Sequence, residues 1–107
     1  MNHKELDVWK NSIEFISKIY ELTDKFPQKE IYGLSQQIRR AAVSIASNIA
    51  EGSARNSTKE LIRCLYYSLG SISEVETQLM IGHKLKYFSD IEPINAQLGK
   101  VRQPLLG

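Results

Sequence analysis

At 107 residues and 12.2 kDa, the chain is sized for a single domain, 1–107. In that size range about 60–70% of the unfolded surface is buried, so support from another subunit is expected to help. Hydrophobic residues at 42% and charged residues at 24% exclude a disordered chain and a membrane protein. The net charge of +2 and a pI near 8.7 are too mild to identify a nucleic-acid binder from totals alone. Their distribution is uneven: residues 34–67 carry five Arg or Lys against two Glu. Residues 1–33 hold five Lys against six acids, and residues 68–107 balance at four each.

Cys64 is the single cysteine, which excludes an intrachain disulfide framework. Without a His/Cys cluster it also excludes a zinc site of ordinary spacing. A reducing compartment fits. The N-terminal MNHKELDVWK is charged and amphipathic at once, unlike a signal peptide, and no run of 18 apolar residues follows; a cytoplasmic location is expected.

In chain order, the first predicted helix covers about 5–25. Its apolar residues Leu6, Trp9, Ile13, Ile16 and Tyr20 recur at spacings of three and four, with Phe15, Ile19, Leu22 and Phe26 widening the stripe. Pro27 disfavours helical geometry at Phe26, so the chain is expected to turn through Gln28–Tyr32. The second helix, 34–51, has Leu34, Ile38, Ala41, Ala42, Ile45 and Ile49 on one face and Val43, Ala46 and Ala50 on another. Gly52 is placed as the left-handed residue that ends it.

Ser57 and Glu60 have capping-box spacing and open a third helix, 58–82. Its main stripe is Leu61, Leu65, Leu69, Ile72, Val75 and Leu79, broadened by Ile62 and Tyr66, and Gly82 near His83 is its expected stop. Gly70 in the middle implies a close helix crossing, since it costs about 1 kcal/mol relative to Ala. Ser89 and Glu92 repeat the capping-box spacing before a short fourth helix, 90–102, containing Ile94, Leu98 and Val101. Pro93 is tolerable in its first turn, whereas Pro104 and Gly107 are expected to end helical geometry after Arg102.

No alternating β-branched run bounded by hairpin turns is present. The expected architecture is therefore an all-α, antiparallel, up-down-up-down four-helix bundle with a short fourth helix. A second apolar face on helix two and a broad one on helix one point either to self-association or to a wide core in a monomer.

The stretch FPQKEIYGLSQQIRRAAVSIASNIAEGSAR, from Phe26 to Arg55, strongly resembles the signature of the 23S rRNA intervening-sequence proteins. The N-terminal LDVWK and the LYYSLGSISEVETQL of helix three are similar to the same family, so the resemblance spans about 5–90. It thins beyond Phe88, where related chains usually continue into a longer fourth helix. The resemblance implies a left-handed four-helix bundle that assembles as a homopentameric ring. It also implies a distant likeness to the accessory variability protein of diversity-generating retroelements, which is thought to bring a reverse transcriptase and nucleic acid together. The family name describes gene location more than activity.

Candidate nucleic-acid-binding residues are Arg39, Arg40, Arg55, Lys59 and Arg63, which do not form one compact patch within a subunit. In a ring, repeated rows of them would raise avidity for phosphates. The competing reading is solvated helix faces and intersubunit ion pairs. Arg40, Ser44, Ser47 and Glu51 form a polar row beside Asn48 that would line a cleft or a ring channel. In the alternative, Glu51 pairs with Arg55 or Arg40 and Asn48 bonds across a helix junction. Ala46, Ala50, Asn48, Glu51 and Gly52 are thus structural or interface candidates. No oriented nucleophile, carboxylate pair, phosphate-cradling loop or ligand cluster is visible, so no catalytic residue, metal or cofactor is expected. His3 and His83 have no local partner suggesting acid–base work. Cys64 reads as a small interior or interface residue, and Tyr66 as core more readily than as a base-stacking platform.

The resulting expectation is a non-enzymatic, oligomeric helical adaptor that binds structured RNA or another nucleic acid. The alternative is a protein-interaction scaffold for an RNA-processing or reverse-transcribing partner. No membrane association is expected.

Overall fold

A computed structural model of the chain describes Asn2 to Leu106, so Gly107 and its expected effect on the tail lie outside the described residues. Among these residues every regular element is helical. The helices are α1 (Asp7–Thr23), α2 (Leu34–Ala54), α3 (Thr58–Lys84) and α4 (Glu92–Leu106), with short 3-10 turns at His3–Glu5 and Gln28–Glu30. They pack as a bundle around Phe15, Ile19, Ile38, Ile45, Ile49, Ile72, Leu79 and Leu98, all at most 1% exposed.

The buried line of α1 is Ser12, Phe15, Ile19 and Thr23, rotated from the expected stripe, and it leaves Ile13 and Tyr20 exposed. Hydroxyls explain the shift. Ser12 donates to the Trp9 carbonyl at 2.6 Å and Thr23 to the Ile19 carbonyl at 2.7 Å, so both polar residues enter the core with their hydrogen bonds made.

Phe26 leaves α1 before Pro27 and is buried against Tyr87 and Phe88, with ring centroids 5.2 and 6.0 Å away. The turn that follows prepares the start of α2. Glu30 accepts from the Leu34 backbone N–H at 3.1 Å and from the Tyr87 hydroxyl at 2.6 Å. Its carboxylate satisfies an orphan N–H at the positive end of the helix dipole. Gly33 leaves room for it: a Cβ there would lie 2.7 Å from Glu30 Oε1. These contacts hold the Glu30 carboxyl below its ordinary pKa, the Tyr87 bond first and the Leu34 N–H second, and raise that of Tyr87.

Gly52 does not end α2. It is helical and buried, and a Cβ on it would meet Cys64 Cβ at 2.8 Å and Leu61 Cδ1 at 3.2 Å. The glycine serves a close approach of α3, not a left-handed turn. Along the same seam Ser68 donates to the Ile45 carbonyl at 2.9 Å and Ser71 to Ser44 Oγ at 3.0 Å. Partner numbers fall along α2 as they rise along α3, so the two helices are antiparallel. Ala41, Ala42 and Ala46 are buried, and this seam is the most extensive helix–helix contact in the chain.

Gly70 has open space where its Cβ would be, so the expected crossing there does not occur within the subunit. Nor does Gly82 stop α3. It is buried with a Cβ position 3.1 Å from Phe26, and the helix runs on to Lys84. Lys86 takes the left-handed conformation, with φ 64°. The Lys86 N–H reaches the His83 carbonyl at 3.0 Å and the Tyr87 N–H the Gly82 carbonyl at 2.9 Å, a Schellman ending.

Ser57 caps α3 by accepting from the Glu60 N–H at 3.3 Å, while the Glu60 carboxylate turns to Arg63 and not back to the cap. At α4 the expected cap is displaced by one residue: Asp90, not Ser89, accepts from the Glu92 N–H at 3.2 Å. The helix continues through Pro104 to Leu106. A proline near the end removes one bond whose loss the packing of Leu105 against the core offsets. α4 rests mainly on α1, with a smaller contact to α3.

Candidate functional site

The five basic candidates separate by what they touch. Arg39 bridges α1 and α2: its Nε donates to Thr23 Oγ1 and its Nη2 to Asp24, both at 2.8 Å, and its guanidinium lies 4.5 Å from the Tyr20 ring centre. It is a structural tie. Arg55 pairs with Glu51 at 2.7 Å, which pushes its pKa up, and Arg63 pairs with Glu60 at 2.8 Å. The Arg55–Glu51 pair is exposed and water-screened, so it adds little to stability, whereas Arg63 is paired to a half-buried Glu60. Among the described residues, no carboxylate lies within ion-pairing distance of Arg40 or Lys59.

Position along the helices divides them further. Arg55, Lys59 and Arg63 gather at the α2–α3 turn; Arg39 and Arg40 stand toward the opposite end of α2. In the polar row of α2, Asn48 bonds within its own helix, donating to the Ser44 carbonyl at 2.9 Å and to Ser44 Oγ at 3.1 Å. Ser44 Oγ also accepts from Ser71, so the junction with α3 is crossed by Ser44 instead of Asn48. Ala46, expected on a second outward face, is 5% exposed and absorbed by the subunit; Ala50 is half-buried. Cys64 is buried at the Gly52 contact.

Tyr66 is not core. It is 68% exposed and stands on an outer stripe of α3 made by Ile62, Tyr66, Gly70, Ser73, Thr77 and Met80, all exposed and none charged. Thr77 returns its hydroxyl to the Ser73 carbonyl at 2.9 Å and so turns a satisfied polar group toward solvent. Beside the stripe, Leu65 and Leu69 are only half-buried and with Leu105 and Leu106 line a groove of about 290 Å³.

A second surface brings Arg40 and Ser44 of the polar row together with side chains of α1 and of the turn before α2. An open cleft of about 500 Å³ between α1 and α2 is lined by Tyr20, Tyr32, Gln36, Arg40, Val43 and Ser44, together with Ile31 and Arg39. Tyr32 is 87% exposed, yet it lies in a turn, where no helical spacing assigns it to a face. Among the described residues no group of His, Cys, Asp or Glu is placed to hold a metal. None of their helices is long and apolar enough to cross a membrane.

Fold and surfaces together define a small helical bundle whose distinctive features are exposed faces and cationic clusters. The sequence profile of the 23S rRNA-intervening sequence protein family matches residues 4–106, and the chain belongs to that family. Its fold is similar to the crystal structure of a protein of unknown function of the S23 ribosomal protein family from Bacteroides thetaiotaomicron. The TM-score is 0.84 at 26% identity, covering 92% of this chain and 94% of that one. No curated protein matches the chain. Neither the family nor the neighbour carries an enzymatic description.

Proposed function

We propose that the protein is a non-enzymatic adaptor of the cytoplasm, a ring of five left-handed bundles that presents basic residues to structured RNA or another nucleic acid. The observation that carries this reading is the uncharged outer stripe of α3. From Ile62 to Met80 it extends about 27 Å, with large apolar residues at both ends and Gly70, Ser73 and Thr77 between them. Small residues in the middle permit close helix contact, and large apolar ones gain by burial. A second copy supplies the partner that Gly70 lacks within the subunit.

Assembly multiplies the cationic end. Arg55, Lys59 and Arg63 recur once per subunit, with Arg40 as a second, separate positive point, so several weak phosphate contacts act together. Arg39 drops out of the set because its guanidinium is engaged by Thr23 and Asp24.

Binding of a labelled structured ribosomal RNA fragment across a salt titration tests the reading, alongside an unrelated RNA of equal length. Affinity is expected to fall with salt, and Ala at Arg55, Lys59 and Arg63 together is expected to flatten the slope. An unchanged slope removes these residues from the interface. Sedimentation of wild type and Tyr66→Glu tests the assembly: the variant is expected to run as a monomer near 12.2 kDa. If RNA does not bind even at low salt while the oligomer persists, the protein is instead a scaffold for a protein partner.

A further inference from the structure

The α1–α2 cleft differs in kind from the α3 stripe. Tyr32 is the most exposed of the large hydrophobic and aromatic side chains, and among the described residues its ring has no aromatic or cationic partner. Within the same cleft Arg40 has no carboxylate partner. None of the cleft's lining residues is acidic, and Gln36 and Ser44 add hydrogen-bonding groups. Tyr20 is held by the Arg39 guanidinium over its ring, and Arg39 is itself fixed by Asp24 and Thr23. One side of the cleft is therefore already tied together by side-chain contacts.

A free aromatic face beside an uncompensated guanidinium suits a flat, neutral π-system joined to an anion. We infer that the cleft of Tyr32, Tyr20, Arg40 and Gln36 seats an unpaired nucleotide of a single-stranded nucleic acid, with its base on Tyr32 and its phosphate on Arg40. Base–aromatic stacking is tolerant of sequence because every base has a π-face. A base inside a duplex is already stacked and cannot reach Tyr32, so the site discriminates loops and single strands from continuous helix. The open cleft leaves the strand free to run on in both directions. This inference rests on the nucleic-acid reading above and assigns it a second contact, far from the Arg55–Arg63 cluster.

The test is fluorescence anisotropy of the full chain with a labelled single-stranded RNA 12-mer and with a 12-base-pair RNA duplex. Wild type, Tyr32→Ala, Tyr32→Phe and Arg40→Ala are compared across a salt series. Tyr32→Ala is expected to lower single-strand affinity at least about fivefold with an unchanged salt slope and unchanged duplex affinity. Tyr32→Phe, which keeps the ring, should retain single-strand binding. Arg40→Ala should flatten the single-strand slope by about 0.7, the share of one phosphate. If RNA binds but Tyr32→Ala matches wild type, this assignment fails while the basic adaptor stands. If neither RNA binds at any salt, both fall. A changed sedimentation coefficient in Tyr32→Ala would place a second copy in the cleft and overturn the assignment.

Discussion

The α2–α3 seam and the attachment of α4 hold their helices by different means. The seam is built on small groups: Gly52 against Cys64, Ser68 on the Ile45 carbonyl, and Ser71 on Ser44. Backbones approach closely, and the hydroxyls that cross are bonded. α4 has a shorter apolar line and is tied by longer polar arms. Gln97 Nε2 donates to the Asn11 carbonyl at 3.1 Å, and Arg102 pairs with Glu76 at 3.1 Å. The connection leading into α4 is tethered by Tyr87 on Glu30. On α4 the buried amide oxygen of Asn95 has no hydrogen-bond partner among the described residues, whereas the serines that cross the seam are bonded. Close packing therefore makes α2–α3 the rigid unit, and α4 the element whose attachment is directional and separable.

The largest expected effect lies in the rigid unit. Ile45 is fully buried, and Ile45→Ala should cost about 2–5 kcal/mol in urea unfolding, because the seam cannot collapse around the cavity. Leu105 of α4 is half-buried, so Leu105→Ala should cost only about 1 kcal/mol. Equal costs would break the contrast.

Next come the glycines. At Gly52 a methyl must displace Cys64 and Leu61, an overpacking cost of about 1–3 kcal/mol that outweighs a helix-propensity gain of about 1 kcal/mol. Gly52→Ala is therefore expected to be net destabilising. At Gly70 nothing opposes the methyl, and Gly70→Ala should stabilise the dilute subunit by about 1 kcal/mol. If the α3 stripe joins subunits, the same change shifts sedimentation toward monomer at high concentration.

Those two glycines also show what the sequence makes legible. Helical periodicity located all four helices, because apolar spacing is written directly in residue order. Which glycine meets a neighbour is not so written: Gly52 read as a cap but packs against α3, and Gly70 read as a crossing but meets nothing within the subunit. A helix cap and a packing notch both call for a missing Cβ, and only the distance to α3 separates them. Likewise Ser12 and Thr23 lie outside the apolar stripe that spacing picks out, yet they stand at the two ends of α1's buried line through bonds to their own helix. The ends of α3 and α4 were misplaced because Lys86 adopts a conformation that favours glycine and because Leu105 holds the chain helical past Pro104. Of the site, the basic residues were visible, but not that Asp24 and Thr23 immobilise Arg39. Tyr32 carried no signal, since a turn residue belongs to no periodic face.

The smallest expected effect concerns the tether of α4, and its sign follows from the titration of its two ends. Glu30 has a folded pKa below its unfolded one, through the Tyr87 hydroxyl and the Leu34 N–H. Its contribution to stability is full above the ordinary carboxylate range and is lost as pH falls through the lowered folded value. Tyr87 is shifted upward by the same bond, so its contribution is complete below the ordinary tyrosine range and disappears as pH rises through the raised value. Acidification should therefore loosen the connection before α4 while leaving the uncharged α2–α3 seam untouched. Hydrogen exchange at neutral and acidic pH is expected to show α4 amides losing protection on the acid side ahead of those in the middle of α2. Tyr87→Phe should bring that early loss to neutral pH and remove most of its pH dependence. Protection lost equally from α2 and α4 on acidification would mean that the bundle opens as one unit and that the tether adds nothing separable.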